Sequence, residues 1–312
     1  MSFIPKKQTF GSAIRTVTLG TGDRALVIGG QNVLPFYTFD APVEHPPVIG
    51  LELSDRSSTW TAPGLQRFYE GCTTLARMAQ RAETLEGIGF LALHFESADP
   101  NGGNRSVEDC VADAVAVAQV TSLPIAVLGC KNQEKDELLF AAVAKALAGR
   151  NILILSAKAE TYQSVGAACL ENGHTLCAET ADDVNLAKQL NIMLQGMKVP
   201  AGSICMNIGT AAVGYGYEYV ASTMDRVRLA ALEQDDADLQ MPIVAPVSPD
   251  AWSVKEALAT EQEEPAWGDP EERGIQMEIA TAAADLLGGA DAVILRHPAA
   301  VKTIFQFIQD LI

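Results

Sequence analysis

From residue 48 onward, short runs of consecutive apolar residues alternate with longer stretches in which apolar positions recur every three or four residues. The short runs fall at 48–53, 89–95, 124–129, 152–155, 175–178, 203–208, 242–247 and 292–296. Continuous rather than alternating hydrophobicity marks strands covered on both faces. The stretches between them carry helical stripes. The clearest is the last, with Val301, Ile304, Phe305, Ile308, Leu311 and Ile312 on one face. Another places Leu138, Leu139, Ala142, Val143, Ala146 and Leu147 together. Asn104 or Ser106, Asp182 and Ser253 are expected N-caps. Eight strand–helix units in strict alternation predict an α/β fold, a (β/α)8 TIM barrel, rather than an open doubly wound sheet. The first strand ends in Leu53-Ser-Asp-Arg, not in the Gly-rich turn of an open nucleotide-binding sheet.

Residues 1–47 read differently. Apolar runs at 16–19, 25–28 and 33–39 are separated by Gly20-Thr-Gly-Asp and Gly29-Gly-Gln-Asn, which predicts a β-hairpin or short meander. A Pro-rich stretch, Asp40-Ala-Pro-Val-Glu-His-Pro-Pro, then breaks the pattern. The expected organisation is an N-terminal β-hairpin extension at 1–47 and a barrel at 48–312, with the extension closing the bottom of the barrel or packing on its side. The connection from 248 to about 274 is too long for a plain loop and includes the acidic run starting at Thr260, so it is expected to be functional or mobile.

Composition narrows the function classes. The 312 residues are 48% hydrophobic and only 6% aromatic, enough for a large aliphatic core. A formal net charge of −17 repels phosphate backbones and anionic lipid, so neither nucleic acid nor membrane is an expected partner. No apolar run reaches the length of a membrane span, and the first residues lack a signal-peptide core, so the expected location is the cytoplasm. Six cysteines include no C-x-x-C pair, which predicts reduced thiols and no iron–sulfur cluster on this chain. The four histidines include no pair at metal spacing, and there is no Walker loop and no nucleophile elbow, so no catalytic residue and no metal ligand is assigned.

In a barrel of this kind, function sits at the C-terminal ends of the strands. Those ends carry Ser54, Asp55, Glu96, Ser97, Asp99, Cys130, Lys131, Asn132, Ser156, Glu179, Thr180, Asn207, Gly209, Thr210, Ser248, Arg296 and His297. Two loops stand out. Asp99-Pro-Asn-Gly-Gly-Asn-Arg pairs adjacent glycines with a helix start, which lets backbone N–H groups approach a ligand. Asn207-Ile-Gly-Thr-Ala-Ala-Val-Gly-Tyr-Gly-Tyr is uncharged and suits a large neutral surface. The three tryptophans, Trp60, Trp252 and Trp267, map to one sector of this face and are expected partner anchors.

Three segments carry a family resemblance: Phe95-Glu-Ser-Ala-Asp-Pro-Asn-Gly, Asn207-Ile-Gly-Thr-Ala-Ala-Val-Gly-Tyr-Gly and Met241-Pro-Ile-Val-Ala-Pro-Val-Ser-Pro-Asp-Ala-Trp. With them the whole chain resembles the small subunit of the corrinoid iron–sulfur protein, the acetyl-CoA decarbonylase/synthase delta-subunit family. The resemblance implies a heterodimeric methyl carrier of the reductive acetyl-CoA pathway. Its large subunit would hold the iron–sulfur cluster and most of a corrinoid (cobalamin), which this barrel's top face would cover. The further partners it implies are a methyltetrahydrofolate methyltransferase, as methyl source, and acetyl-CoA synthase, as acceptor. Combined with strand-end position, it makes Ser97, Asp99, Asn101, Asn132, Asn207, Thr210 and His297 the expected contacts to corrin amides, with no cobalt ligand from this chain; no D-x-H-x-x-G motif is present. The alternative reading is a pterin-dependent methyltransferase barrel using Asp55, Asp99, Asn132 and Asn207.

Overall fold

The computed structural model describes residues 6–312. β1 (Val17–Leu19) and β2 (Leu26–Ile28) form an antiparallel hairpin in which Val17 pairs with Ile28. The eight apolar runs become β3 (Val48–Ser54), β4 (Ile88–His94), β5 (Ile125–Leu128), β6 (Leu153–Ala157), β7 (Thr175–Glu179), β8 (Ile204–Asn207), β9 (Val244–Pro246) and β10 (Ala292–Leu295). All are parallel, in the spatial order β8-β7-β6-β5-β4-β3-β10-β9. A parallel bridge between Met206 and Ile243 brings the two ends of that sheet together, with the Met206 N–H donating to the Pro242 carbonyl at 2.8 Å. The sheet therefore curls into a nearly closed eight-stranded barrel.

The helices follow in turn: α1 (Pro63–Phe68) and α2 (Leu75–Ala82) after β3, α3 (Val107–Val120) after β4, α4 (Gln133–Ala146) after β5, α5 (Tyr162–Asn172) after β6, α6 (Val184–Gly196) after β7 and α7 (Tyr217–Leu232) after β8. After β9 come the short α8 (Val247–Ala251) and α9 (Lys255–Leu258), then α10 (Pro270–Gly288); α11 (Pro298–Leu311) follows β10. The long 248–274 connection thus holds α8, α9 and a 3-10 turn at Pro265–Trp267.

Strand alternation splits the core in two. Ile49, Leu51, Leu53, Leu91 and Leu93 face outward to the helices. Phe90, Ala92, Ala126, Leu153, Cys177, Cys205, Val244, Ala292 and Ile294 fill the inside, together with Val17, Leu19 and Ile28 of the hairpin. Gly50 makes room on β3, because a Cβ there would lie 2.3 Å from the Phe90 ring. The hairpin seals the end where the strands begin. Arg15 N–H donates to the Gln240 carbonyl at 2.6 Å and Gly20 N–H to the Asn151 carbonyl at 2.8 Å, and both acceptors precede strands. Of the two expected hairpin placements, the structure takes the bottom.

Several local expectations shift. The run at 33–39 forms turns, not a third strand; Pro35 lacks a donor and Phe36 takes a left-handed φ of 59°. Ser106 rather than Asn104 caps α3. Asp183, not Asp182, caps α6, since Asp182 is itself turned to a φ of 26°. Ser253 caps nothing; its hydroxyl donates to the Asp250 carbonyl. Leu138 lies exposed, with Leu139, Phe140 and Val143 forming the buried stripe of α4 instead. Among the described residues, no helix is long and apolar enough to cross a membrane.

Candidate functional site: the mouth of the barrel

Glu52 occupies an inward position of β3, fully buried. A buried carboxylate is tolerable only when paired and hydrogen-bonded. The two neighbouring strands provide both partners. Arg296, just past β10, grips Glu52 with a two-pronged contact, Nε to Oε2 at 2.8 Å and Nη2 to Oε1 at 3.0 Å. His94, at the end of β4, places Nδ1 2.7 Å from Glu52 Oε1. Burial alone would raise the Glu52 carboxyl, but Arg296 and His94 together hold it well below the usual carboxylate range. Burial opposes the Arg296 charge, and Glu52 more than compensates. The guanidinium also stacks 5.0 Å over the Trp60 ring. Glu278 of α10, fully buried, accepts from the Arg296 N–H at 2.5 Å and the His297 N–H at 3.1 Å; burial pushes its carboxyl up to about 7.

Glu52, His94 and Glu96 lie close enough together to surround a cation. Both Glu52 oxygens and one Glu96 oxygen are already engaged, however. Both Glu52 oxygens face Arg296 and His94, and Glu96 accepts from Ser54. The guanidinium thus supplies the positive charge that a metal would bring.

On the other side of the mouth, the ends of β5 to β8 border an open cleft of about 690 Å³. Leu128 and Leu155 are among its apolar lining, while Ser156, Glu179, Asn207 and Thr210 border it with polar groups, and His94 reaches it from β4. Glu179 is held by Lys158 at 3.0 Å and by the Ser156 hydroxyl. Asn207 Oδ1 accepts from Gly209 N–H at 3.2 Å, and its side-chain NH2 has no partner among the described residues. Thr180 Oγ1 is buried without a partner among the described residues. Gly209 has a φ of 111°, and a Cβ there would collide with Asp182 Oδ1 at 2.3 Å, so the neutral loop can approach this wall only as glycine. Around the rim, Tyr215, Tyr219, Leu258 and Trp267 are exposed. Two of them have partners: Tyr215 donates to Glu256 Oε2 at 2.6 Å, and Lys255 lies 4.9 Å over the Trp267 ring.

The expected contact residues divide into two groups. Asn207 and Thr210 line the cleft. The others are engaged locally. Ser97 bonds Asp55 through both its N–H and its hydroxyl. Asp99 Oδ1 accepts from the Asn101 N–H at 2.9 Å and its side-chain amide at 3.3 Å, and Asn101 is exposed. Asn132 caps α4 by accepting from Lys135 N–H at 3.1 Å, between the cleft residues Lys131 and Gln133. His297 accepts the Ala299 N–H at 3.1 Å, contacts Glu271 at 3.2 Å and stacks on Trp252 at 6.0 Å. Burial lowers its pKa, with Glu271 acting against that. Of the three expected tryptophan anchors, only Trp267 is exposed; Trp252 is wedged against Gly274, and Trp60 lies against Arg296 and Tyr69.

Sequence reasoning did not single out Glu52, His94 and Glu278. A usable signal was present for the first two: one ionisable residue inside each of the runs 48–53 and 89–95. Charges inside doubly covered strands require partners, and Arg296 ends another run.

A family model described as CO dehydrogenase/acetyl-CoA synthase delta subunit matches residues 16–298. The acetyl-CoA decarbonylase/synthase complex subunit delta of Archaeoglobus fulgidus is 30% identical over 321 residues, covering 99% of this chain and 71% of that protein. The subunit of the same name from Methanothermobacter thermautotrophicus is 31% identical over 309 residues, covering 97% of this chain and 77% of its own length. Among solved structures, Xanthomonas albilineans dihydropteroate synthase with 4-aminobenzoic acid superposes with a TM-score of 0.60 at 17% identity, over 95% of this chain and 98% of that one. That likeness is one of fold.

Proposed function

Because this chain belongs to the CO dehydrogenase/acetyl-CoA synthase delta subunit family, we propose that it is the barrel subunit of a methyl carrier, with its mouth covering a corrinoid held mainly by a larger partner. The cofactor, when bound, supplies a cobalt centre able to accept and donate a methyl group. This chain's residues shield it and hold its edge. An iron–sulfur cluster belongs to the partner, a methyltetrahydrofolate methyltransferase supplies the methyl group, and acetyl-CoA synthase receives it.

The observation that carries this reading is the chemistry left free at the mouth. The buried charges Glu52 and Arg296 are compensated within the chain. Beside the charged groups that also line the cleft, among them Lys131, Asp136, Lys158, Glu179, Asp182 and Asp250, its wall offers neutral hydrogen-bonding capacity: the Asn207 amide, Thr210 and a buried Thr180 hydroxyl that has no partner among the described residues. A corrin edge bears neutral amides, so these groups fit it better than free charges would. The exposed Tyr215, Tyr219, Leu258 and Trp267, all in the segments that follow β8 and β9, offer aromatic and apolar contact area, which suits a protein partner. The residue set of the methyltransferase alternative is not assembled. Asp55 is bound to Ser97, Asp99 to its own loop and Asn132 to a helix start, so only Asn207 faces the cleft.

The test is an electron paramagnetic resonance spectrum of the cobalt(II) form in the assembled complex. The expected spectrum lacks nitrogen hyperfine splitting from this chain. Splitting that disappears in His94→Ala or His297→Ala would make the chain a ligand donor and overturn the shielding role.

A further inference from the structure

We propose that His94 is the residue by which the barrel mouth distinguishes a carboxamide from a carboxylate on the edge of its ligand. The inference rests on the reading that a corrinoid covers this mouth. It begins with the fixed orientation of the ring. His94 Nδ1 lies 2.7 Å from Glu52 Oε1, and Arg296 holds both oxygens of that carboxylate. Glu52 is therefore ionised and can only accept, so Nδ1 carries the proton. Nε2 is then the ring nitrogen left for the cleft, and without a proton of its own it is a lone-pair acceptor. His94 borders the cleft, and Nε2 has no partner among the described residues.

An acceptor at the floor of a cleft requires a donor from the ligand. A primary carboxamide brings N–H groups; a carboxylate brings none. The charges facing the ring add to the difference. Glu52 approaches from β3, and Glu96, in the turn after β4, lies 4.0 Å from Nδ1. Arg296, from beyond β10, is matched to Glu52, and Glu179 from β7 borders the same cleft held by Lys158. A carboxylate would meet a lone pair with acidic groups beside it. If His94 served only as a packing partner for Glu52, the ligand's edge chemistry would not depend on it.

The experiment uses the complex of this chain with its corrinoid-carrying partner, stripped of cofactor. Two probes are titrated in by visible absorbance: cobinamide, whose arms are amidated, and cobyrinic acid, whose arms are free carboxylates. The preference for cobinamide should shrink by about tenfold in His94→Phe, the scale of one lost hydrogen bond, and return in His94→Gln, which restores an acceptor. Because both probes are measured on the same variant, any loss of folded protein cancels in the ratio. An unchanged ratio in His94→Phe, with corrin still bound, overturns this inference and leaves the corrinoid reading standing. Failure of the unsubstituted complex to bind either corrin overturns both.

Discussion

The two ends of this barrel solve opposite problems. At the bottom, Val17, Leu19 and Ile28 of the hairpin close over Phe90 and the small residues of neighbouring strands, and the interior there is apolar. At the top, the layer contains Glu52, His94 and Arg296, and beside them a cleft stays open. Apolar burial drives folding without direction, whereas the paired charges must be placed by strand register. The bottom can therefore be read as stability and the top as recognition, and each assignment can be broken separately.

The largest effects should be on stability. Phe90→Ala opens a cavity opposite Gly50, and about 3–5 kcal/mol should be lost in urea unfolding, with ligand preference at the mouth untouched. Arg296→Met strands a buried Glu52 carboxylate and should cost about 3–5 kcal/mol, most of it recovered when Glu52→Gln is added. A double variant no more stable than Arg296→Met alone would mean that the pair is not the source of the loss.

On the recognition side, Trp267→Ala should weaken partner binding by about 2 kcal/mol in calorimetry while leaving the unfolding midpoint nearly unchanged. Trp252→Ala should do the reverse, because its ring packs against Gly274 and His297.

A pH titration sharpens the contrast within the top half. Burial pushes Glu278 up to about 7 and Asp285 up to about 8, with Tyr217 partly offsetting the latter. The folded state then holds more protons than the unfolded chain between the ordinary carboxylate range and those values. Stability should consequently fall as pH rises through that window, by up to about 1.4 kcal/mol per pH unit for each proton. Glu278→Gln and Asp285→Asn should each flatten the slope. Glu52 has the opposite sign: its lowered carboxyl stabilises the fold above the ordinary carboxylate range, and that contribution fades as pH falls below it. The smallest effect is expected from Asn207→Ala, about 0.5–1.5 kcal/mol in corrin retention.

The barrel was legible because doubly covered strands leave continuous apolar runs, and each of the eight runs became a strand within a residue or two of its expected ends. The run at 33–39 misled because hydrophobicity alone cannot distinguish a strand from buried turns: Val33 is buried, yet Pro35 and Phe36 bend the chain. The mouth was less legible. Polar strand ends such as Ser97 and His297 looked free in sequence, but hydrogen bonds to Asp55 and to the Ala299 N–H engage them. Glu52 and His94 lay inside apolar runs, where a single charge attracts little notice. Their pairing depends on β3 lying between β4 and β10, and that order becomes readable only once the barrel closes.

This barrel mouth is proposed to cover a corrinoid presented by another subunit. The most direct test is the visible absorption spectrum of the chain purified alone and of the chain purified with its large partner. Corrin bands are expected to be absent from the chain alone, present in the complex, and lost on dilution more readily in Asn207→Ala. A stable complex with no corrin bands, or a lone chain that binds methyltetrahydrofolate and transfers its methyl group, would contradict this proposal.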